Sequence, residues 1–486
     1  MKTILDLEPK NVWKFFHELT QIPRPSGKEE KVREYLVKLA KDNNLEVMVD
    51  EIGNVIMRRP ASPGYENRKI VTLQAHMDMV PQKNMDKTFD FEKDPIQTII
   101  DGDWVKADGT TLGADNGIGL AAILAVLTDK NLQTGMIEAL ITIDEERGMT
   151  GVFGLKPNVL KGDILLNLDS EDEGEIFIGC AGGMDASITF NISREPVPAG
   201  YKAFQVEIKG LKGGHSGLDI HLGRLNANKG LNRFIKHVID HLDGLLVSFD
   251  GGSLRNAIPR EANAIILVPE NKVKELEEIK NTFDTNFHNE FGDVEPNLQF
   301  NIKESQLPSS YIKKDIADKI VKAIYGCPNG VLRMSTEVEG LVETSNNLAS
   351  VKTSDDKVEI QCLMRSSIDS AKEAVGQKIK SVFELAGAQV VLSGAYPGWK
   401  PNPNSEILGL AKKIYQEKYG KIPEIKAVHA GLECGLIGSK YPNLDMISFG
   451  PTIVAPHSPD ERVNIDSVKK FYDFLLEILK NIPNKN

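Results

Sequence analysis

The segment IVTLQAHMDMVPQ, residues 70–82, runs from an apolar stretch straight into His76 and Asp78. Two ionisable groups at the exit of a run built for burial are costly unless they are paired or hold a cation. Residues two apart on an extended chain point to the same side, so His76 and Asp78 read as a pair. Working outward, short apolar runs alternate with helical patterns: EVMVD, NVIMRR, KIVTLQAH, a helix over residues 118–127, IEALITID and DILLNLD. Continuous apolar runs, in place of strict alternation, predict strands covered by helices on both faces, the mark of an α/β domain. Ahead of them a helix is predicted with Pro9 in its first turn and Val12, Phe15, Phe16 and Leu19 on one face. Ser26 followed by Glu29 predicts a capping box for a second helix, whose inner face is Val32, Tyr35, Leu36 and Leu39.

After GCAGGMD the texture changes. MDASITFNI and KAFQVEIKG alternate polar with apolar residues, as half-exposed strands of an antiparallel sheet do. Helices are predicted over residues 226–241 and 273–291, and the α/β texture returns near residue 400 with helices over 406–419 and 468–479. The simplest organisation is one α/β domain in two segments, residues 1–184 and 396–486, interrupted by an inserted α+β domain over residues 185–395. A chain of 486 residues is too long for one core, in keeping with this division.

Composition narrows the function. Hydrophobic content of 41% and charged content of 26% are those of a globular protein. A net charge of −11 argues against nucleic acid or an anionic membrane as partner, since both need a basic surface. No run approaches the roughly 18 apolar residues of a membrane span. MKTILDLEPKNVWKFF meets acidic residues and a proline early, unlike a signal-peptide core. The cysteines Cys180, Cys327, Cys362 and Cys434 are scattered, which fits a reducing cytoplasm better than a disulfide framework.

Four other motifs share the form of the first. LGADNGIGLA places Asp115 before a helix start, ALITIDEERGMTG ends in Glu145 and Glu146, ILLNLDSEDEG in Asp169, and VAPHSPDER carries His457 in a proline-rich loop. Singly, each has an ordinary explanation: a cap, a solvated loop, a structural histidine. Together they gather histidines and carboxylates at strand and loop exits, where like charges repel and a divalent cation is the usual remedy. In open α/β sheets, strand carboxyl ends are where ligand sites collect. Imidazole and carboxylate ligands without thiolate suit zinc, with manganese or cobalt as substitutes. Five ligands are too many for one catalytic zinc but suit two ions sharing a carboxylate, as in two-metal hydrolases. Asp78 would then accept the second N–H of His76 and fix its tautomer. One of Glu145 and Glu146 would be a ligand and the other a free general base, and spacing leaves open which.

AHMDMV, GADNG, DEE, NLDSE and PHSPDE together resemble the di-zinc metallopeptidase superfamily of aminoacylases, carboxypeptidases and dipeptidases. HMDMVPQKN, DGTTLGADNGIG, GCAGGMD, LKGGHSG, RNAIPRE, HAGLECG and APHSPDERV are similar, over essentially the whole chain, to its bacterial aminoacyl-histidine dipeptidases, also called cytosolic non-specific dipeptidases or carnosinases. The resemblance implies a di-zinc catalytic domain with an inserted lid. It implies two zinc ions, His76 and Asp169 on one, Glu146 and His457 on the other, and Asp115 bridging them through a carboxylate followed by a cis peptide. It makes Asp78 the residue that supports the ligands, Glu145 the base and His215 an oxyanion donor. It assigns Asn256, Arg365 and, more weakly, Gly431 to the substrate, and leaves His429 and Glu433 without a role.

The activity so implied is hydrolysis of dipeptides, including Xaa-His. A tripeptidase or an N-acyl amino acid deacylase is the alternative within the superfamily. A silent metal-dependent binding protein is the alternative outside it, expected to have lost the base or a ligand, all of which this chain keeps. A small peptide is the expected partner, and a homodimer the expected assembly.

Overall fold

The computed structural model describes residues 3–485. It divides into two compact units, one running through Gly179 and resuming over Pro401–Ala427 and from Leu432 onward, the other comprising Cys180–Lys400 and Val428–Gly431.

The first unit is built on an eight-stranded sheet. Four neighbouring strands at its centre, Ile137–Thr142, Val71–His76, Ile164–Asn167 and Asp445–Ser448, run parallel. The first three are buried at every position, which is why their sequences read as unbroken apolar runs. Their register sets His76 opposite Thr142, and Asn167 opposite both Gln74 and Ser448. All four carboxyl ends therefore lie on one edge, and the loops leaving three of them carry Asp78, Glu145–Glu146 and Asp169. The helix Ala114–Thr128 is apolar almost all round and almost wholly buried, as a helix inside a large core must be. A second, four-stranded sheet pairs Thr98–Asp101 with Trp104–Ala107, then Arg462–Asn464 and Ile453–Val454. The turn of its last hairpin is the loop that presents His457.

The helix Lys10–Thr20 buries Val12, Phe15, Phe16 and Leu19 and follows Pro9. The capping box is not formed. The helix Glu30–Asp42 starts three residues after Gly27, which sits at φ +82°, and has no side-chain cap. Ser26 Oγ instead donates to Met79 O at 3.2 Å, while Glu29 Oε1 accepts from Gly27 N and Asp144 N. Both polar groups tie this loop to the exits of two central strands, and that tertiary use outweighs local capping.

The second unit carries a nine-stranded antiparallel sheet. Its strand Gly182–Asn191 joins the sheet from its first residue, Gly182 opposite Ser366, so the unit begins a few residues before position 185. Val428–Gly431 returns to it because Ala181 N donates to Val428 O and Ala430 O. Alternate residues of the sheet, among them Ile188, Phe190, Val206, Ile208 and Ile360, meet apolar faces of the helices Ala227–His241, Val273–Phe291, Lys314–Gly326 and Asp369–Leu385. Phe234, with no exposed surface, lies edge-on to Phe283 at 5.3 Å and Phe300 at 5.1 Å between ring centres. Phe234→Ala is expected to destabilise this unit by about 3–5 kcal/mol, the range for deleting a core aromatic. A lower urea midpoint for the unfolding of this unit, followed by amide exchange, checks it.

Candidate metal centre

His76 ends its strand with 1% of its surface exposed. Its Nδ1 lies 3.1 Å from the main-chain oxygen of Asp78 and 3.3 Å from Asp78 Oδ1, so Nδ1 carries the proton and Nε2 is free for other work. The Asp78 carboxylate has a second task, because it accepts from Glu145 N at 3.1 Å and Glu146 N at 3.4 Å. It thereby shapes the turn that presents both glutamates. Burial opposes a charged Asp78, but His76 and these donors hold its carboxyl down at about 2.

Asp115 lies at the start of the helix Ala114–Thr128, where its own φ/ψ is not helical and the peptide to Asn116 is cis. Gly113 before it has φ +71°, and a Cβ there would stand 2.6 Å from Arg24 Nη2. Two buried charges hold this bend. Glu461 accepts from the N–H groups of Leu112, Gly113 and Asp115, and Arg24 donates to the carbonyls of Met77, Asp78 and Gly113. Asn116 Nδ2 donates to Leu168 O at 2.7 Å, beside Asp169.

The bend aims the two oxygens of Asp115 at different histidines. Oδ1 is 3.1 Å from His76 Nε2 and Oδ2 is 3.1 Å from His457 Nε2. Asp169 Oδ1 approaches His76 Nε2 at 3.4 Å, and Glu146 Oε2 lies 2.9 Å from His457 Nε2. His457 sits in its hairpin turn at φ +61°, a conformation few non-glycine residues adopt. Two groups of metal-ligand type result, His76–Asp115–Asp169 and Asp115–Glu146–His457, sharing Asp115. Glu145 joins His76 and Glu146 only, and neither Asp115 nor His457.

Electrostatics describes a site in want of cations. Burial works against a charged His76, but Asp169, Asp115 and Asp78 hold it well above its usual range, and Asp115 and Glu146 push His457 up to about 11. Burial raises Glu145 well above the usual carboxyl range, and Asp169 to about 6. Glu146 Oε1 is buried without a hydrogen-bond partner. Buried oxygens lacking donors, in a set of imidazoles and carboxylates, fit divalent ions of the zinc type. A further cluster of buried carboxylates, Glu29, Asp78 and Asp144, differs in that its oxygens are taken up by backbone donors, Arg147 and Thr150.

The remaining candidates lie in the second unit. His215 follows Gly213 and Gly214, and its Nδ1 accepts from Gly217 N and Leu218 N at 3.2 and 3.0 Å. That assigns the proton to Nε2, and burial with nearby Arg365 lowers the imidazole's pKa. Arg365, 5% exposed, donates to Ser216 Oγ and Tyr396 OH and lies 3.5 Å from His215 Nε2. Among the described residues no carboxylate pairs with it. A buried guanidinium without a counter-ion is a site for an anion. Asn256 touches this group through its main-chain oxygen, which accepts from Ser216 N, while its side chain is exposed. Gly431 stands two residues from His429, whose Nε2 lies 2.7 Å from Ser345 Oγ.

Sequence reading passes over Arg24 and Glu461, and names Glu433 without giving it a role. Each lies inside a stretch with other claims on attention, and the groups it holds are distant in the chain. The signal available is a charged residue set among prolines and glycines, QIPRPSG and HAGLECG, or beside a candidate ligand, PHSPDER.

Residues 72–481 match the model of peptidase family M20/M25/M40. The chain is 49% identical over 485 residues to the cytosol non-specific dipeptidase of Escherichia coli, covering 100% of both chains. It superposes on the crystal structure of aminoacylhistidine dipeptidase from Vibrio alginolyticus with a TM-score of 0.96 and 51% identity, covering 100% of this chain and 99% of that one. A tripeptidase from Staphylococcus aureus shares the fold at a TM-score of 0.58 and 18% identity, over 98% of this chain and 99% of that one. With its two ligand groups hinged on one carboxylate, the chain belongs to peptidase family M20/M25/M40.

Proposed function

We propose that this protein is a zinc-dependent dipeptidase that hydrolyses unblocked dipeptides, Xaa-His among them. The observation that carries the reading is the pair of ligand groups sharing Asp115, with Glu145 beside them and outside the shared group. Near-half identity over full length to a dipeptidase, and a structural match to an aminoacylhistidine dipeptidase, support the substrate class. The tripeptidase match reaches the fold alone. Four buried, scattered cysteines and the cytosolic relative support a cytoplasmic setting.

His76 and Asp169 would hold one zinc, Glu146 and His457 a second, and Asp115 both. When bound, zinc supplies the positive charge that lowers the pKa of a water toward about 7 and polarises a carbonyl. Glu145 is the general base: its carboxylate takes the proton of the attacking water and returns it to the leaving amine. Asp78 keeps Nδ1 of His76 protonated and fixes the Glu145–Glu146 turn through two backbone N–H groups. His215 offers a neutral Nε2–H, a donor suited to a developing oxyanion. Arg365 offers a fork suited to the free carboxylate of a dipeptide, with Asn256 and Gly431 as further substrate contacts.

Chelation is expected to abolish cleavage of dipeptides such as β-alanyl-histidine and glycyl-leucine, and zinc to restore it. Glu145→Gln is expected to lower kcat by roughly a hundredfold or more while metal content stays that of the unmodified protein. A tripeptide assayed alongside should remain intact; cleavage of the tripeptide alone would assign a tripeptidase. Absence of any hydrolysis with metal bound would overturn the peptidase reading for these substrates. Glu461→Ala leaves the N–H groups around Asp115 without their acceptor, and is expected to weaken zinc retention about tenfold to a hundredfold, read by chelator competition.

A further inference from the structure

The mechanism above gives no task to the buried carboxyl of Glu433. Glu433 opens the helix Glu433–Lys440 and is 1% exposed. Its Oε2 accepts two hydrogen bonds, from Gln74 Nε2 at 2.6 Å and Thr142 Oγ1 at 2.8 Å. Gln74 precedes His76 by two residues on its strand, and Thr142 ends the adjacent strand three residues before Glu145. The same row continues beneath the site. Asn167 Nδ2 donates to Gln74 Oε1, Ser448 Oγ donates to Asn167 Oδ1, and Ser170 Oγ is 2.6 Å from Ser448 Oγ. Asn167 Oδ1 also accepts from Asp169 N at 3.3 Å. Each of the three strands whose exits carry the acidic residues thus places one polar side chain in this row, and Glu433 caps its end.

The other oxygen, Oε1, is buried with no hydrogen-bond partner. An ionised carboxylate would place an unsolvated charge in a region already crowded with carboxylates, whereas protonation at Oε1 removes that charge. We propose that Glu433 is a positioning residue for the metal centre: a neutral carboxyl that clamps the ends of the His76 and Glu145 strands through Gln74 and Thr142 and so fixes the spacing between ligand and base. Burial, with Asp169 adding to it against the pull of His76, raises its carboxyl to about 8, in keeping with a neutral group near pH 7. The inference rests on the metallopeptidase reading above.

The test compares Glu433→Ala, Glu433→Gln and Thr142→Val in the full-length, zinc-saturated protein. Glutamine keeps a neutral group with one oxygen accepting twice, so Glu433→Gln is expected to stay within about threefold of the unmodified kcat. Glu433→Ala is expected to lose about tenfold to a hundredfold in kcat with KM unchanged, and to release zinc more readily to a competing chelator. Thr142→Val, nearly isosteric, removes one arm and is expected to lower kcat several-fold, without adding to the loss in a double variant with Glu433→Ala. It also stands as the test should Glu433→Ala fail to fold. Three results would overturn the proposal: Glu433→Ala or Thr142→Val at full zinc occupancy within twofold of the unmodified kcat, or Glu433→Gln falling as far as Glu433→Ala. An unmodified protein that neither binds zinc nor cleaves dipeptides would instead sink the reading on which the proposal rests.

Discussion

Four carboxylates, Asp115, Glu145, Glu146 and Asp169, converge with two imidazoles at one edge of a buried parallel sheet. In a medium of low effective dielectric such crowding costs several kcal/mol for each unpaired charge. The acids hold His76 well above its usual range and push His457 up to about 11, and burial raises Glu145 and Asp169. That repulsion organises the site. It explains why the ligands sit at strand exits, where a rigid frame can hold them against one another. It also explains why so many neighbouring polar groups are spent on positioning rather than on chemistry.

The supports come in two kinds. One holds the backbone: Glu461 and Arg24, both buried, hold the bend at Asp115, one through three N–H groups and the other through the Gly113 carbonyl, which Arg24 joins to those of Met77 and Asp78. The other holds side chains and turns, as Asp78 does for His76 and for the Glu145–Glu146 turn. A ligand set held from both sides moves little when charge changes within it, which is what a hydrolytic centre needs between binding and turnover.

Much of this was legible in the chain. The unbroken apolar runs around Leu73 and Leu166 read as strands covered on both faces, and the alternation in MDASITFNI as a half-covered one. His76, Asp115, Glu146, Asp169 and His457 stood out because each breaks a pattern where the pattern ends. The four-stranded sheet did not stand out: its strands are two to four residues long and pair Trp104 with Asn464 across most of the sequence. Nor did Arg24 or Glu461, whose partners are backbone groups, since a backbone N–H has no identity in a sequence. Ser26 and Glu29 show the converse, a local motif whose residues are used elsewhere.

The strand Asp445–Ser448 lies inside the sheet of the first unit, between Ile164–Asn167 and Glu175–Cys180, although almost the whole chain is synthesised before it. On a ribosome the antiparallel sheet of Cys180–Lys400 has all its strands well before the first unit has its own. The earlier strands of that sheet are made while the place of Asp445–Ser448 is still unfilled. His457 and Glu461 follow that strand in the chain. A chain cut short before this stretch lacks both a strand of the sheet and the His457 that groups with Asp115 and Glu146. Strand order alone thus ties the completion of this sheet and the arrival of His457 to one late stretch of chain.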